Sequence, residues 1–288
     1  MNDDNNKENQ QANQPTEEEV NDRYVSVNDY TGEGFELLEG AVNDPVVQAN
    51  FDEIAAATKQ YFRDEFKTEV IVHRAVGAKF GGMIFVESAT DPRFHTFAMI
   101  PVDAKENKVY PDGIWTESMQ VEQALFGGLL AMIMEEEFAA LDNYLEEITD
   151  KYPVVGMRQE AVNNVTKSGY TTPYYFVQTM SLEELKQING PYLENPEINI
   201  EELKQHFNKE TYNAEKMSVV IDLFMKEPNI EPDKAIFQQI INDIETLDGL
   251  PRGAYSVRLH DNNISKRSGI GSKDNTLRRG NPDKIIKE

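Results

Sequence analysis

The stretch Val70–Val102, VIVHRAVGAKFGGMIFVESATDPRFHTFAMIPV, decides how this chain is read. It contains three strand-like runs, 70–76, 83–87 and 94–102. The links between them are short: Gly77 and Gly81-Gly82 lead into the second run, and Thr90-Asp91-Pro92 turns into the third. Parallel pairing needs a crossover of about a dozen residues or more, so these links predict an antiparallel meander. In the third run Thr96, Ala98 and Ile100 share one face, and His95, Phe97 and Met99 the other. Both faces are largely apolar, which marks a central strand.

Working outward, Asp44-Pro45 is a helix start, a capping carboxylate followed by Pro at the first helical position. Val47, Phe51, Ile54, Thr58 and Tyr61 follow at helical spacing, and Phe62 and Phe66 extend the face, so a helix over 45–66 is expected. On the other side, Pro111-Asp112-Gly113 precedes a long helix, from about 117 to 144 or, on its amphipathic pattern, 148. Its middle, Ala124–Met134, is apolar all round and therefore buried. Gly127-Gly128 costs this helix roughly 1 kcal/mol per Gly relative to Ala, a cost that close approach of a neighbouring backbone would offset. Trp115, between turn and helix, is expected to anchor the helix start.

From Pro153 the pattern changes. A short helix near 156–165 leads to Gly169-Tyr-Thr-Thr-Pro-Tyr-Tyr-Phe-Val-Gln178, read as a turn and a strand. Helices are expected at 181–189, with Ser181-Leu-Glu-Glu184 as a capping box, and at 200–207, 213–226 and 232–247. A last strand covers 255–259, and 261–288 reads as extended. The fold class is α+β: an antiparallel sheet packed on long helices, then a mainly helical C-terminal half. Residues 1–23 form a polar lead-in, and 24–288 fold as one unit or as two subdomains, 24–152 and 153–260, with a basic segment 261–288.

Composition narrows the function. Met1 to Asp22 hold nine Asn or Gln, seven Asp or Glu and three apolar residues, too little apolar surface to offset the entropy of ordering. The net charge of −23 argues against a nucleic-acid partner, which needs a basic footprint. Charge is uneven: residues 1–50 carry 12 acidic and 2 basic side chains, residues 249–288 carry 9 basic and 4 acidic. With no Cys there are no disulfides, thiolate zinc sites or cysteine nucleophiles. No run reaches the roughly 20 apolar residues of a membrane span.

His73 and His95 lie on two expected strands and can face each other, but no metal-binding spacing supports a site, so no metal and no cofactor is expected. Glu135-Glu136-Glu137 point in different directions on a helix and cannot converge on one substrate. Gly269-Ile-Gly271-Ser-Lys273 lacks the Gly-Lys-Ser/Thr triplet of a phosphate loop. Asp261-Asn-Asn263-Ile-Ser265 has Lys266 where a calcium loop needs Gly, and Ser272 where it needs Glu. No Gly-x-Ser-x-Gly elbow exists. The binding candidates are Tyr170, Tyr174 and Tyr175, with Phe176 beside them, because aromatics with polar handles suit recognition; at strand spacing some of them belong to a core.

Several stretches carry a family resemblance: Val27-Asn-Asp-Tyr-Thr-Gly-Glu-Gly34, Phe85-Val-Glu-Ser88, Gly127–Phe138, Gly169-Tyr-Thr-Thr172, Gly249–Val257 and Lys266–Asn275. From about residue 24 onward the chain resembles a family of cell-envelope lipoproteins of staphylococci and related Gram-positive bacteria, defined only as a domain of unknown function. The resemblance implies a signal peptide ending in an acylated Cys. This sequence has neither, so the expectation is that it begins just after that Cys, with Met1 in its place. Residues 2–22 would then be a tether, about 20 flexible residues spanning roughly 25 Å.

Three readings follow. The favoured one is a non-catalytic binding or accessory module, lipid-anchored on the extracytoplasmic face of the membrane, with a protein or an anionic wall polymer as partner. The others are a cytosolic acidic regulatory or assembly protein with a basic partner, and an envelope hydrolase working through carboxylates.

Overall fold

The computed structural model describes residues 23–166, 168–179, 182–208 and 212–288. In chain order these form β1 (Tyr24–Ser26), α1 (Asp44–Ala49), α2 (Phe51–Phe66), β2 (Val70–Ala78), β3 (Gly81–Ser88), β4 (His95–Asp103), β5 (Lys108–Val109), α3 (Gln120–Ile133) and α4 (Glu135–Lys151). Then come β6 (Val154–Val155), α5 (Gln159–Val165), β7 (Tyr170–Thr171), β8 (Tyr175–Thr179), α6 (Leu182–Glu194), α7 (Ile200–Lys204) and β9 (Met217–Met225). The chain closes with α8 (Lys234–Thr246), β10 (Gly253–His260), β11 (Asn263–Ser265), β12 (Leu277–Arg279) and β13 (Ile285–Lys287). Helices and sheets are both present, so the fold class is α+β.

The meander forms as its short links demand. β2 pairs antiparallel with β3, β3 with β4, and β4 with β5. The β2–β3 register shifts between Val72 and Arg74, leaving His73 as the extra residue of a bulge. Ile84 and Val86 face the main core, while Phe85 packs edge-on against Phe35 in a second, smaller cluster. Strand alternation thus covers both faces of this sheet.

Both long helices are interrupted. The helix expected over 45–66 breaks at Asn50, whose backbone leaves helical geometry (φ −114°, ψ 20°). The second breaks at Met134 (φ −107°, ψ 42°), where the all-apolar α3 hands over to the amphipathic α4. The apolar periodicity continues across each break and so conceals it. Glu135, Glu136 and Glu137 open α4, where acidic side chains complement the helix dipole. A Cβ on Gly128 would sit 2.5 Å from the Arg93 carbonyl oxygen, so the glycine permits the close backbone approach expected of it. Trp115 is not the apolar anchor: it is 40% exposed and is held through its backbone to Met99, while the adjacent Ile114 is buried.

The C-terminal half is where expectation and structure part. Residues 217–225 form a strand, not part of a helix over 213–226. Asn213 does cap a turn, but only the 3-10 turn Ala214–Lys216. MSVVIDLFM is a buried apolar run, and such a run does not distinguish a buried helix from a buried strand by periodicity. β9 lies inside a seven-stranded sheet of the order β12-β10-β9-β8-β7, with β13 also on β10 and β6 on β9. β9 and β10 run parallel, with α8 between them in sequence. "Mainly helical" therefore does not describe this half. Residues 261–288 are organised too: β11 pairs with β1, and β12 and β13 pair with β10. α6 runs past its expected end through Pro191, and α7 is shorter than expected. Ser181 of the expected capping box lies outside the described residues.

One cluster of buried residues runs from Val46 to Ile285 and draws on both large sheets. A backbone bridge joins them, with His95 N–H donating to Gly169 O at 2.8 Å and Gly169 N–H to His95 O at 2.9 Å. Among the described residues no helix is long and apolar enough to cross a membrane.

Candidate ligand groove on the C-terminal sheet

Alternation along β8, β9 and β10 divides the second sheet into two faces. Tyr175, Val177, Val219, Ile221, Leu223, Tyr255, Val257 and Leu259 point into the core and are buried. On the opposite face, Val220 pairs with both Phe176 and Ser256, Asp222 with Arg258, and Phe224 with His260. That face carries two clefts, of about 450 and about 900 Å³. They share Phe176, Gln178, Arg258 and Ser272 and so lie side by side, as two parts of one groove bordered by these residues.

The smaller cleft is largely apolar. Its lining includes Leu37 and Leu38 before α1, Val162 and Val165 of α5, Phe224 of β9, and the loop 267–272. That loop lies tight against the sheet. A Cβ on Gly271 would meet the Phe224 ring at 2.3 Å, so this position admits no side chain without displacement. The cleft's charges are matched internally: Arg267 Nε lies 2.9 Å from Glu36 Oε1, and Arg258 Nη1 lies 3.4 Å from Asp222 Oδ2. At the mouth, Leu38 and Ile270 expose 86% and 55% of their surfaces, an apolar rim that no described residue covers.

Arg258 stands where the clefts meet, with its guanidinium 5.9 Å from the Phe176 ring centre, a cation–π distance. Behind it Asp222 Oδ1 lies 2.7 Å from His260 Nε2, and His260 Nδ1 lies 3.0 Å from Thr276 Oγ1. A carboxylate only accepts, so Nε2–H donates to Asp222, which leaves Nδ1 to the Thr276 hydroxyl. The order hydroxyl–imidazole–carboxylate is that of a nucleophile relay. Here His260 is 1% exposed with Phe224 packed 4.8 Å away, and Thr276 Oγ1 also accepts from Lys273 N–H at 2.9 Å. The network thus holds Asp222, and through it Arg258, in place.

The larger cleft is polar and basic. Gln178, Ser218, Ser256 and Thr276 line it with Arg258, Arg278, Arg279 and Lys284, against the single carboxylate of Asp283. Arg279 is tied to Glu245 at 2.5 Å and Asp283 at 3.6 Å. Arg278 and Lys284 form no ion pair among the described residues.

The three tyrosines singled out by sequence do not share one site. Tyr175 belongs to the lining of the apolar cleft, yet its ring is buried in the core and stacked on Phe138 at 6.2 Å. Tyr170 packs edge-on against the same Phe138, at 5.6 Å, and burial raises its hydroxyl pKa. Tyr174 lines a separate hollow beside Met157 and Arg158. The ring that alternation turns toward the groove is Phe176. Sequence reading missed Asp222, His260, Arg258 and Thr276, which lie on three separate strands or loops; the only local signal was a charged residue in each of two apolar strands.

His73 and His95 do face a common partner. Their Nε2 atoms lie 3.1 and 3.4 Å from Glu87 Oε2, and His95 Nε2 also lies 3.0 Å from Asn163 Oδ1. The hydrogen bond with His95, aided by His73 and opposed by burial, holds the Glu87 carboxyl below its ordinary pKa. Among the described residues no cluster has the makings of a metal site. The calcium-loop candidate is filled from within. Burial raises the Asp261 pKa, but Lys273, Asn275 at 3.0 Å and the Asn263 N–H at 2.9 Å outweigh it and hold the carboxyl below its ordinary value. Of the glycine-rich stretch, residues 269–272 are a cleft wall.

With this geometry in place, comparison with known proteins adds family and fold. The family model described as "Protein of unknown function (DUF1672)" matches residues 17–287. The crystal structure of a DUF1672 family protein from Staphylococcus aureus subsp. aureus Mu50 superimposes with a TM-score of 0.73 at 20% identity, covering 92% of this chain and 98% of that one. Comparison with curated proteins gives no significant match.

Proposed function

The chain belongs to the DUF1672 family of proteins of unknown function, and from that premise we propose that it is a non-catalytic binding module of the cell envelope, displayed on the outer face of the membrane through an N-terminal lipid anchor. The observation that carries the binding role is the apolar cleft of about 450 Å³ with its exposed Leu38 and Ile270 rim. Small-molecule sites are concave, mostly apolar, about 300–1,000 Å³ and equipped with a few placed polar groups. The cleft's two carboxylates, Glu36 and Asp222, are each paired with a guanidinium, which suits a scaffold better than a proton-transfer pair. The anchor rests on the composition of residues 1–22 and on the resemblance of the sequence to envelope lipoproteins.

Two measurements test the parts separately. The native precursor, labelled with a radioactive fatty acid, is expected in the membrane fraction; an unlabelled soluble precursor would remove the anchor. A small-molecule thermal-shift screen is expected to find ligands whose stabilisation disappears in the rim variant Leu38→Asp/Ile270→Asp. A ligand present at 100 times its Kd stabilises by about 2.7 kcal/mol, well above the noise of such a scan. Hits that stabilise wild type and variant equally would displace the binding site from this cleft.

A further inference from the structure

The two clefts share four lining residues, and their chemistry changes across that boundary. On one side lie Leu37, Leu38, Val162, Val165, Phe224 and Ile270, with every charge already matched. On the other lie hydroxyls, three amides, the Asp283 carboxylate and four cations, of which Arg278 and Lys284 have no acidic partner among the described residues. Arg258 marks the change: its guanidinium packs over Phe176 and is fixed by Asp222, so it borders both environments. We infer that the groove takes a single-chain anionic amphiphile, with its hydrocarbon in the apolar cleft and a phosphate- or carboxylate-type head against Arg278 and Lys284. The inference rests on the reading of the apolar cleft as a ligand site and adds the class of ligand.

Three features favour one amphiphile over two separate ligands. The clefts adjoin at Phe176, Gln178, Arg258 and Ser272, so a molecule lying across these four residues reaches both. An isolated apolar ligand would leave the unpaired cations unused, and an isolated anion would leave the rim residues Leu38 and Ile270 in water. The chain's net charge of −23 repels anions in general, so a groove holding two cations without an ion pair among the described residues is a local exception that concentrates them.

The test is isothermal titration of the whole chain at low salt with four probes, each below its micelle concentration: dodecyl phosphate, dodecyl maltoside, dodecyltrimethylammonium and inorganic phosphate. Dodecyl phosphate is expected to bind one per chain, about tenfold or more tighter than the maltoside, and to weaken as salt rises. The cationic surfactant and inorganic phosphate are expected to bind more weakly than either. In Arg278→Ala/Lys284→Ala the phosphate amphiphile should fall to the affinity of the maltoside, whose own binding should not change. In Leu38→Asp/Ile270→Asp both alkyl probes should weaken. Equal binding of the phosphate and maltoside amphiphiles would overturn the inference and leave the apolar site standing. Inorganic phosphate binding as tightly as dodecyl phosphate would overturn it in favour of a plain anion site. Failure of every alkyl probe would remove the apolar site and the inference together. Circular dichroism of each variant separates lost binding from lost fold.

Discussion

The two large sheets are assembled in opposite ways. In the first, β2, β3 and β4 follow one another in sequence and pair in that order. In the second, strands drawn from Val154 to Lys287 are gathered around a parallel β9–β10 pair. The first sheet is covered on both faces, Ile84 and Val86 by the main core and Phe85 by the Phe35 cluster. The second buries one face and leaves the other to the groove. Local pairing has produced a sealed scaffold, and long-range pairing a surface with chemistry on it. Damage to the first should therefore appear as lost stability, and damage to the open face of the second as altered binding.

The largest effect is expected from Phe85→Ala, which empties a fully buried site between Phe35 and β3. Phe→Ala in a packed core costs about 3–5 kcal/mol, read from the urea midpoint. A loss below about 1 kcal/mol would mean that the second face is not sealed. Next comes Gly271→Ala. Its Cβ would strike the Phe224 ring, so the cleft loop must move, at about 1–3 kcal/mol. Ligand affinity should suffer more than the fold, and a variant with wild-type affinity would show that the loop does not shape the site.

Glu87→Gln probes the joint between the sheets. Because His95, with His73, holds the folded-state carboxyl pKa below its ordinary value, the folded chain binds fewer protons there than the unfolded one. The resulting stabilisation is complete above the ordinary carboxyl pKa of about 4.3 and disappears as pH falls through the lower folded value. Wild type should exceed Glu87→Gln by about 1 kcal/mol near pH 6, and the gap should close in acid. Denaturant midpoints from pH 3 to 7 check this, and a gap that widens in acid would reverse the sign. The smallest stability effect belongs to Arg278→Ala/Lys284→Ala, within about 0.5 kcal/mol of wild type. A larger loss would tie these cations to the scaffold.

The same division explains what could be read from sequence. The meander was legible because Gly81-Gly82 and Thr90-Asp91-Pro92 force neighbours to pair, and α8 because its Asp233 cap and its Ile236, Ile240 and Ile244 stripe agree. The breaks at Asn50 and Met134 were not, since one residue can leave helical geometry without disturbing the apolar pattern. β9 is not legible as a strand because Val220 and Phe224 on its groove face are as apolar as Val219, Ile221 and Leu223 on its core face, which erases period two. The groove was the least legible part. Of the aromatic stretch 170–176, sequence does not show that Phe176 is the ring that faces the groove, and Asp222, Arg258, His260 and Thr276 acquire meaning only when β9 and β10 lie in register and the 261–288 segment returns over them.

The β1–β11 ribbon has a mechanical consequence. Tyr24 pairs with Ser265, and Lys266 N–H donates to Arg23 O at 3.1 Å, immediately before the loop 267–272 that walls the apolar cleft. Any pull entering the fold through Arg23 therefore reaches three strand pairs and that loop before it reaches either large sheet. Arg23 and the cleft wall are in series, so load on the leading segment and displacement of the loop 267–272 act on the same few hydrogen bonds.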